Sequence, residues 1–290
     1  MFRGAIVALV TPFREGRLDE KALCDLIERC LAAGVTGFVP CGSTGESATL
    51  SHAEHRRVVE LTVEAVNRRA KVIAGTGSNS TAEAIDLTRH ARSVGADGAL
   101  LISPYYNKPT QEGIFLHYQA VARAVDLPIL VYNIPGRTAS NVLPQTLARL
   151  AEIENIVGVK EACGNLQQIA DVARLCGPQF DVLSGDDALT LPILAVGGCG
   201  VISAAANLLA GEFVELCRAW DEGDVKRAQA AHTRLLPICD ALFLETNPIP
   251  VKAALHLQGL ISDEIRLPLT RMTAPNLEKL RLAMKDHGLL

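Results

Sequence analysis

Aromatic residues make up only 4% of this chain, with one tryptophan in 290 residues. That scarcity argues against a surface that stacks nucleic-acid bases. Charge of one sign is also missing in bulk. The formal net charge is −4, and no basic stripe or acidic block occurs, so neither nucleic acid nor an anionic membrane is expected as a partner. No apolar run approaches the ~20 residues that a membrane span needs. The first run, 5–10, stops at Thr11-Pro12 and is too short for a secretory leader, so a cytoplasmic protein is expected. C-x-x-C pairs are absent as well. The eight cysteines (Cys24, Cys30, Cys41, Cys163, Cys176, Cys199, Cys217 and Cys239) sit mostly in apolar contexts. In a chain this long they read as reduced small residues, not as disulfides or zinc ligands.

What is present is a rhythm. Short apolar runs fall at 5–9, 37–39, 72–74, 99–102, 129–132, 156–160, 181–183 and 200–202. Their near-continuous apolar character suits strands buried on both faces, as in a parallel sheet. Helical spacing appears between them, at about 19–33, 53–67, 81–94, 111–125, 144–151, 166–176, 188–196 and 208–222. Ser80, with Glu83 three residues on, reads as a capping box opening the third helix. Eight βα units in order predict an α/β fold, a (β/α)8 TIM barrel. A doubly wound open sheet is the alternative, but no G-x-G-x-x-G follows the first strand. After about residue 223 the strand signals stop. Helical patterns at 225–244, 249–257 and 274–287 mark an extension packed on the barrel. The expected organisation is a barrel catalytic domain over 1–223 and a C-terminal helical extension over 224–290.

Barrel enzymes keep their chemistry where strands end and the following loops begin. The sixth run ends in Lys160 and the fifth in Tyr132. An ammonium is seldom buried without a reason. Desolvation pushes a lysine toward its neutral amine, the form that attacks a carbonyl carbon. Other strand ends supply Gly42-Ser43-Thr44-Gly45, Tyr105-Tyr106, Arg137 and Ser184-Gly185-Asp186-Asp187. Each has an ordinary reading alone: a rim lysine, a core tyrosine, a surface arginine, a plain turn. Amine, phenol, hydroxyls and an anion clamp on neighbouring strands together favour an imine-forming enzyme with a proton shuttle.

Two clusters invite a metal. His52 and His55 lie at i and i+3 with Glu46 and Glu54 nearby, but no third ligand at strong spacing and no H-E-x-x-H occurs. Asp186-Asp187 could bind a divalent cation, but a helix start commonly carries Asp as its N-cap. No metal and no separate cofactor are expected.

The segments 42–50, 74–79, 104–109, 132–138, 158–162, 183–187 and 247–252 resemble the 4-hydroxy-tetrahydrodipicolinate synthase (dihydrodipicolinate synthase) family. The likeness spans essentially the whole chain. It implies a pyruvate-dependent class I aldolase of lysine and diaminopimelate biosynthesis that condenses pyruvate with L-aspartate 4-semialdehyde. By the same resemblance, Lys160 forms the imine and Tyr132 exchanges protons. Ser43 and Tyr106 complete a hydroxyl relay, with Tyr106 donated by a neighbouring subunit of a homotetramer, a dimer of dimers. Thr44 holds the pyruvate carboxylate, Arg137 meets the carboxylate of the semialdehyde, and Gly185 and the backbone of Ile202 line the pocket. L-Lysine as feedback inhibitor would meet Ser47, Ala48, His52, His55, Asn79, Glu83 and Tyr105. Hydroxyls bonded to Tyr132 are expected to favour its phenolate.

Two positions depart from the family pattern. Ser43 stands where threonine is usual, and Cys163 where a hydroxyl residue is. Three other readings stay open on sequence: N-acetylneuraminate lyase or a related 2-keto acid aldolase, a metal-dependent barrel hydrolase, and a noncatalytic barrel kept as an assembly partner.

Overall fold

A computed structural model describes residues 1–290. β1 (Gly4–Ala8) leads into a small antiparallel hairpin of β2 (Phe13–Arg14) and β3 (Arg17–Leu18). Seven further strands alternate with helices: β4 (Gly37–Val39), β5 (Lys71–Gly75), β6 (Gly98–Ile102), β7 (Ile129–Asn133), β8 (Ile156–Glu161), β9 (Asp181–Ser184) and β10 (Gly200–Ser203). β1 and β4–β10 close into one barrel in which every neighbouring pair is parallel. All eight apolar runs are therefore barrel strands, within a residue or two of their expected ends.

The helices cover the outside: α1 (Glu20–Ala32), α2 (His52–Val66), α3 (Thr81–Ser93), α4 (Gln111–Ala124), the single turn α5 (Pro135–Thr138), α6 (Pro144–Leu150), α7 (Leu166–Cys176), α8 (Thr190–Ala195) and α9 (Ala206–Asp221). Past a turn at Gly223 come α10 (Val225–Ala241), α11 (Ile249–Leu257) and α12 (Ala274–His287), which pack on α9 and on one another.

Two apolar bodies result. A large one lies between strands and helices. A small one fills the barrel itself, with Phe2, Ile6, Leu100, Leu130 and Leu183 below Tyr132 and Ile202. The barrel is thus packed, not hollow, and polar groups can collect only at the strand ends.

Four points differ from expectation. The hairpin was not anticipated, because two residues per strand leave no periodicity to read. Ser80 does stand before α3, but its side chain caps nothing. Glu83 bonds the hydroxyl of Ser78 and the ring of His52 instead. The reciprocal capping box sits one helix earlier, between Ser51 and Glu54 at the start of α2. The last helical pattern of the barrel breaks at Leu209, where φ is −119°, and the first helix of the extension ends at Ala241, earlier than expected.

Candidate active site

The parallel register of β7 and β8 sets Tyr132 beside Lys160 and Asn133 beside Glu161. Lys160 is 6% exposed and forms no ion pair. Its Nζ lies 4.3 Å from the centroid of the Tyr132 ring. Burial pushes the amine down to about 8, Asp187 pulls it back up, and Arg137 pushes it further down. An amine so placed reaches its neutral, nucleophilic form near physiological pH. Little room is left next to it: a Cβ at Gly185 would stand 2.9 Å from Ala162 Cβ and 3.0 Å from Lys160 Cε, so its neighbours would have to shift.

Tyr132 behaves otherwise than expected. Burial pushes its phenol up to about 12, outweighing the pull of Arg137 and of the Ser43 hydroxyl. The bonded hydroxyl therefore does not make it a phenolate. Tyr132 rests protonated.

The loop after β4 approaches so closely that β5 must begin its exit with glycine. A Cβ at Gly75 would lie 2.3 Å from the carbonyl oxygen of Cys41. This fit sets Ser43 on the wall of the cavity, while Thr44 beside it is buried and is not part of that wall. Thr44 Oγ1 accepts from Asn247 Nδ2 at 2.9 Å. Arg137, exposed on α5, donates to the carbonyl of Asn247 at 2.9 Å. Ile202, on β10, is buried inside the barrel.

A cavity of about 470 Å³ is lined by Ser43, Tyr132, Arg137 and Asn247 at one end. It runs on to Ser47, Ala48, His52, His55, Glu83 and Tyr105. Lys160 stands behind the Tyr132 ring and is not part of that wall. In the side chamber His52 Nε2 meets Glu83 Oε1 at 2.9 Å, and His55 Nε2 meets Gly75 O at 2.8 Å. The Ser78 hydroxyl holds the Glu83 carboxyl below its usual range, so that end carries negative charge. Asn79 does not line the cavity but steadies it, donating to Tyr105 O at 3.1 Å. Tyr106 is not brought in: it is 88% exposed, with φ +70°.

Asp186 accepts from the backbone N–H of Ala188 and so acts as an N-cap, the plainer of its two readings. Asp187 is buried, its Oδ2 accepts from Ala205 N at 2.9 Å, and burial pushes its carboxyl up to about 6. Sequence reasoning gave no role to Asn247, Glu161 or Lys252. Lys252 carries the very signal that marked Lys160, an ammonium inside an apolar run, Ile249-Pro250-Val251-Lys252-Ala253-Ala254-Leu255. It is 2% exposed and pairs with Glu46 at 2.5 Å.

A closed (β/α)8 barrel with a sheltered, easily neutralised amine beside a phenol defines a class, the imine-forming lyases. Residues 1–287 match the dihydrodipicolinate synthetase family. The chain belongs to that family. It is 58% identical over 290 residues to the 4-hydroxy-tetrahydrodipicolinate synthase of Syntrophus aciditrophicus, with all of both chains covered. It superposes with a TM-score of 0.98 on a chloride-inhibited dihydrodipicolinate synthase from Acinetobacter baumannii complexed with pyruvate, at 44% identity and full coverage of both. The enzyme from Cyanidioschyzon merolae with lysine bound gives 0.97 at 44% identity, covering 100% of this chain and 99% of the other.

Proposed function

We propose that this lyase condenses pyruvate with L-aspartate 4-semialdehyde to 4-hydroxy-tetrahydrodipicolinate, through an imine at Lys160. The carrying observation is the buried amine held near 8 beside Tyr132. The neutral amine attacks C2 of pyruvate and water leaves. The imine withdraws electrons, so a methyl proton departs and an enamine forms. The enamine carbon attacks the aldehyde, and the new alkoxide takes a proton. Closure of the semialdehyde's amino group onto C2 then frees Lys160. Tyr132 serves these proton transfers in relay with Ser43 and with Tyr106 of a neighbouring subunit, which suits a phenol that rests protonated.

Thr44 and the backbone of its loop hold the pyruvate carboxylate. Arg137 grips the second carboxylate with two parallel bonds and turns the aldehyde toward the enamine. Gly185 and Ile202 shape the floor. No separate cofactor takes part, because the imine itself is the electron sink. The side chamber of His52, His55, Glu83 and Tyr105 receives L-lysine, with Glu83 facing its ammonium. The working form is a homotetramer in the cytoplasm.

Borohydride with pyruvate tests the reading. It should fix a pyruvate-derived adduct on the peptide carrying Lys160, and an adduct elsewhere, or none, overturns it. Turnover of aspartate semialdehyde but not of N-acetylneuraminate separates this reading from the sugar-acid lyase; the reverse pattern would reject it.

A further inference from the structure

Every residue of the segment Thr44–Glu46 is held by a side chain, and the bonds of Thr44 and Glu46 reach residues more than 200 positions away. Thr44 Oγ1 accepts from Asn247. Gly45 O accepts from the Thr11 hydroxyl at 2.7 Å, and Thr11 O in turn accepts from Lys252 Nζ at 3.1 Å. Glu46 Oε1 takes Lys252 Nζ at 2.5 Å, and its Oε2 takes the backbone N–H of Arg266 at 3.1 Å. The Glu46–Lys252 pair is sealed from water, with side chains 1% and 2% exposed. The Phe13 ring covers it: Lys252 Nζ lies 4.5 Å and the Arg266 guanidinium 4.1 Å from the ring centroid.

Glu46 needs this support. It stands at φ +54°, a left-handed conformation that a side chain adopts at a cost. Glycine would hold that turn more easily, yet a carboxylate stands there, bonded on both oxygens by residues beyond 223. A buried pair is a poor source of stability, because desolvation offsets most of its attraction. Its better-attested use is to fix one arrangement among several. The arrangement fixed here is that of the loop presenting Thr44. The same Asn247 that bonds Thr44 also receives Arg137 on its carbonyl. One residue outside the barrel thus bonds both groups that are read as carboxylate clamps.

We infer that Asn247, Lys252 and Arg266 are positioning residues, through which the C-terminal extension fixes the distance between the Thr44 loop and Arg137 and so completes the substrate site. The inference rests on the reading that these two groups hold the two substrates' carboxylates.

Two variants test it. Asn247→Ala removes the bond to Thr44 without touching a charge. Glu46→Gln with Lys252→Met removes both charges together, so neither is left buried alone. Each is taken through thermal unfolding, steady-state kinetics with pyruvate varied, and borohydride trapping at saturating pyruvate. Asn247→Ala should raise the pyruvate KM about tenfold, the loss of one net hydrogen bond, while saturating pyruvate still fills Lys160. The double variant should unfold cooperatively and show a raised KM of similar size. A merely structural role would lower the active fraction and kcat with KM unchanged, and that result in Asn247→Ala overturns the inference. Should the double variant not fold, Asn247→Ala decides alone. Trapping on the parent keeps the two readings apart. If the parent forms no pyruvate imine, the proposed function fails. If it does, and the KM of Asn247→Ala stays within twofold of the parent, only the positioning role fails.

Discussion

At the residue scale the site turns on which groups lose water. Lys160 was legible because an ammonium closing an apolar strand is rare, and Tyr132 because it closes the strand before. Their titration was only half legible. Burial acts on both, but it favours the neutral form of each, which makes the amine reactive and the phenol reluctant. The amine has a direct consequence. Trapping of pyruvate should quicken as pH rises and level off above about 8, instead of climbing to the 10.5 of a free lysine; rapid quenching over pH 6–10 reads this. Lys160→Ala should leave no trapped adduct. The phenol has a different one. Tyr132→Phe keeps the ring against Lys160 and removes only the proton path, so kcat should fall roughly 10²–10⁴-fold. A Tyr132→Phe protein within tenfold of the parent would remove the phenol from the shuttle.

At the scale of elements, alignment of β7 with β8 is what makes these two residues a pair. The neighbours one step along reinforce it. Asn133 Nδ2 donates to Glu161 Oε1 at 2.8 Å and to Asn141 Oδ1 at 2.9 Å, and Asn141 exchanges amide bonds with Gln168 of α7. Glu161 is fully buried, and its Oε2 has no partner. Burial pushes its carboxyl up to about 7 from 4.5. The folded protein therefore holds this proton to higher pH than the unfolded chain does. Its stabilising share is complete below 4.5 and is lost as pH rises through about 7, a change on the order of 3 kcal/mol. Glu161→Gln imitates the protonated acid. Its stability relative to the parent should rise between pH 5 and pH 8, read as urea midpoints, and a constant difference would reject this account. Sequence periodicity gave the strands but not this lock, because Asn133, Asn141 and Gln168 meet only after folding. Glu83 shows the same limit. A local pattern offered it a capping role at Ser80, and two other partners won, the nearby Ser78 and the distant His52.

At the scale of the whole molecule, the barrel was readable from eight apolar runs, since a parallel strand buried on both faces must be apolar throughout. The dependence of one end on another was not, since nothing in the segment Gly42-Ser43-Thr44-Gly45-Glu46 announces partners at 247, 252 and 266. Still less readable is whether a second copy supplies a group to the site. Tyr106 stands 88% exposed on a left-handed residue, turned away from the cavity that Tyr105 beside it lines. A large aromatic held in so costly a backbone conformation and left in water asks for an explanation. If it completes the relay of a neighbour, two damaged proteins should repair each other. Lys160→Ala keeps Tyr106 but has no amine; Tyr106→Phe keeps the amine but has no donated hydroxyl. In a two-fold pair that exchanges this residue, a mixed dimer carries one site with every group intact. Unfolding and refolding the two variants together in equal amounts should restore about a quarter of parent turnover, since half the pairs are mixed and half their sites are whole. Refolded separately and then combined without exchange, they should show only the mean of their own activities. Equal activity in the two preparations would return Tyr106 to its own chain and leave the relay to Tyr132 and Ser43.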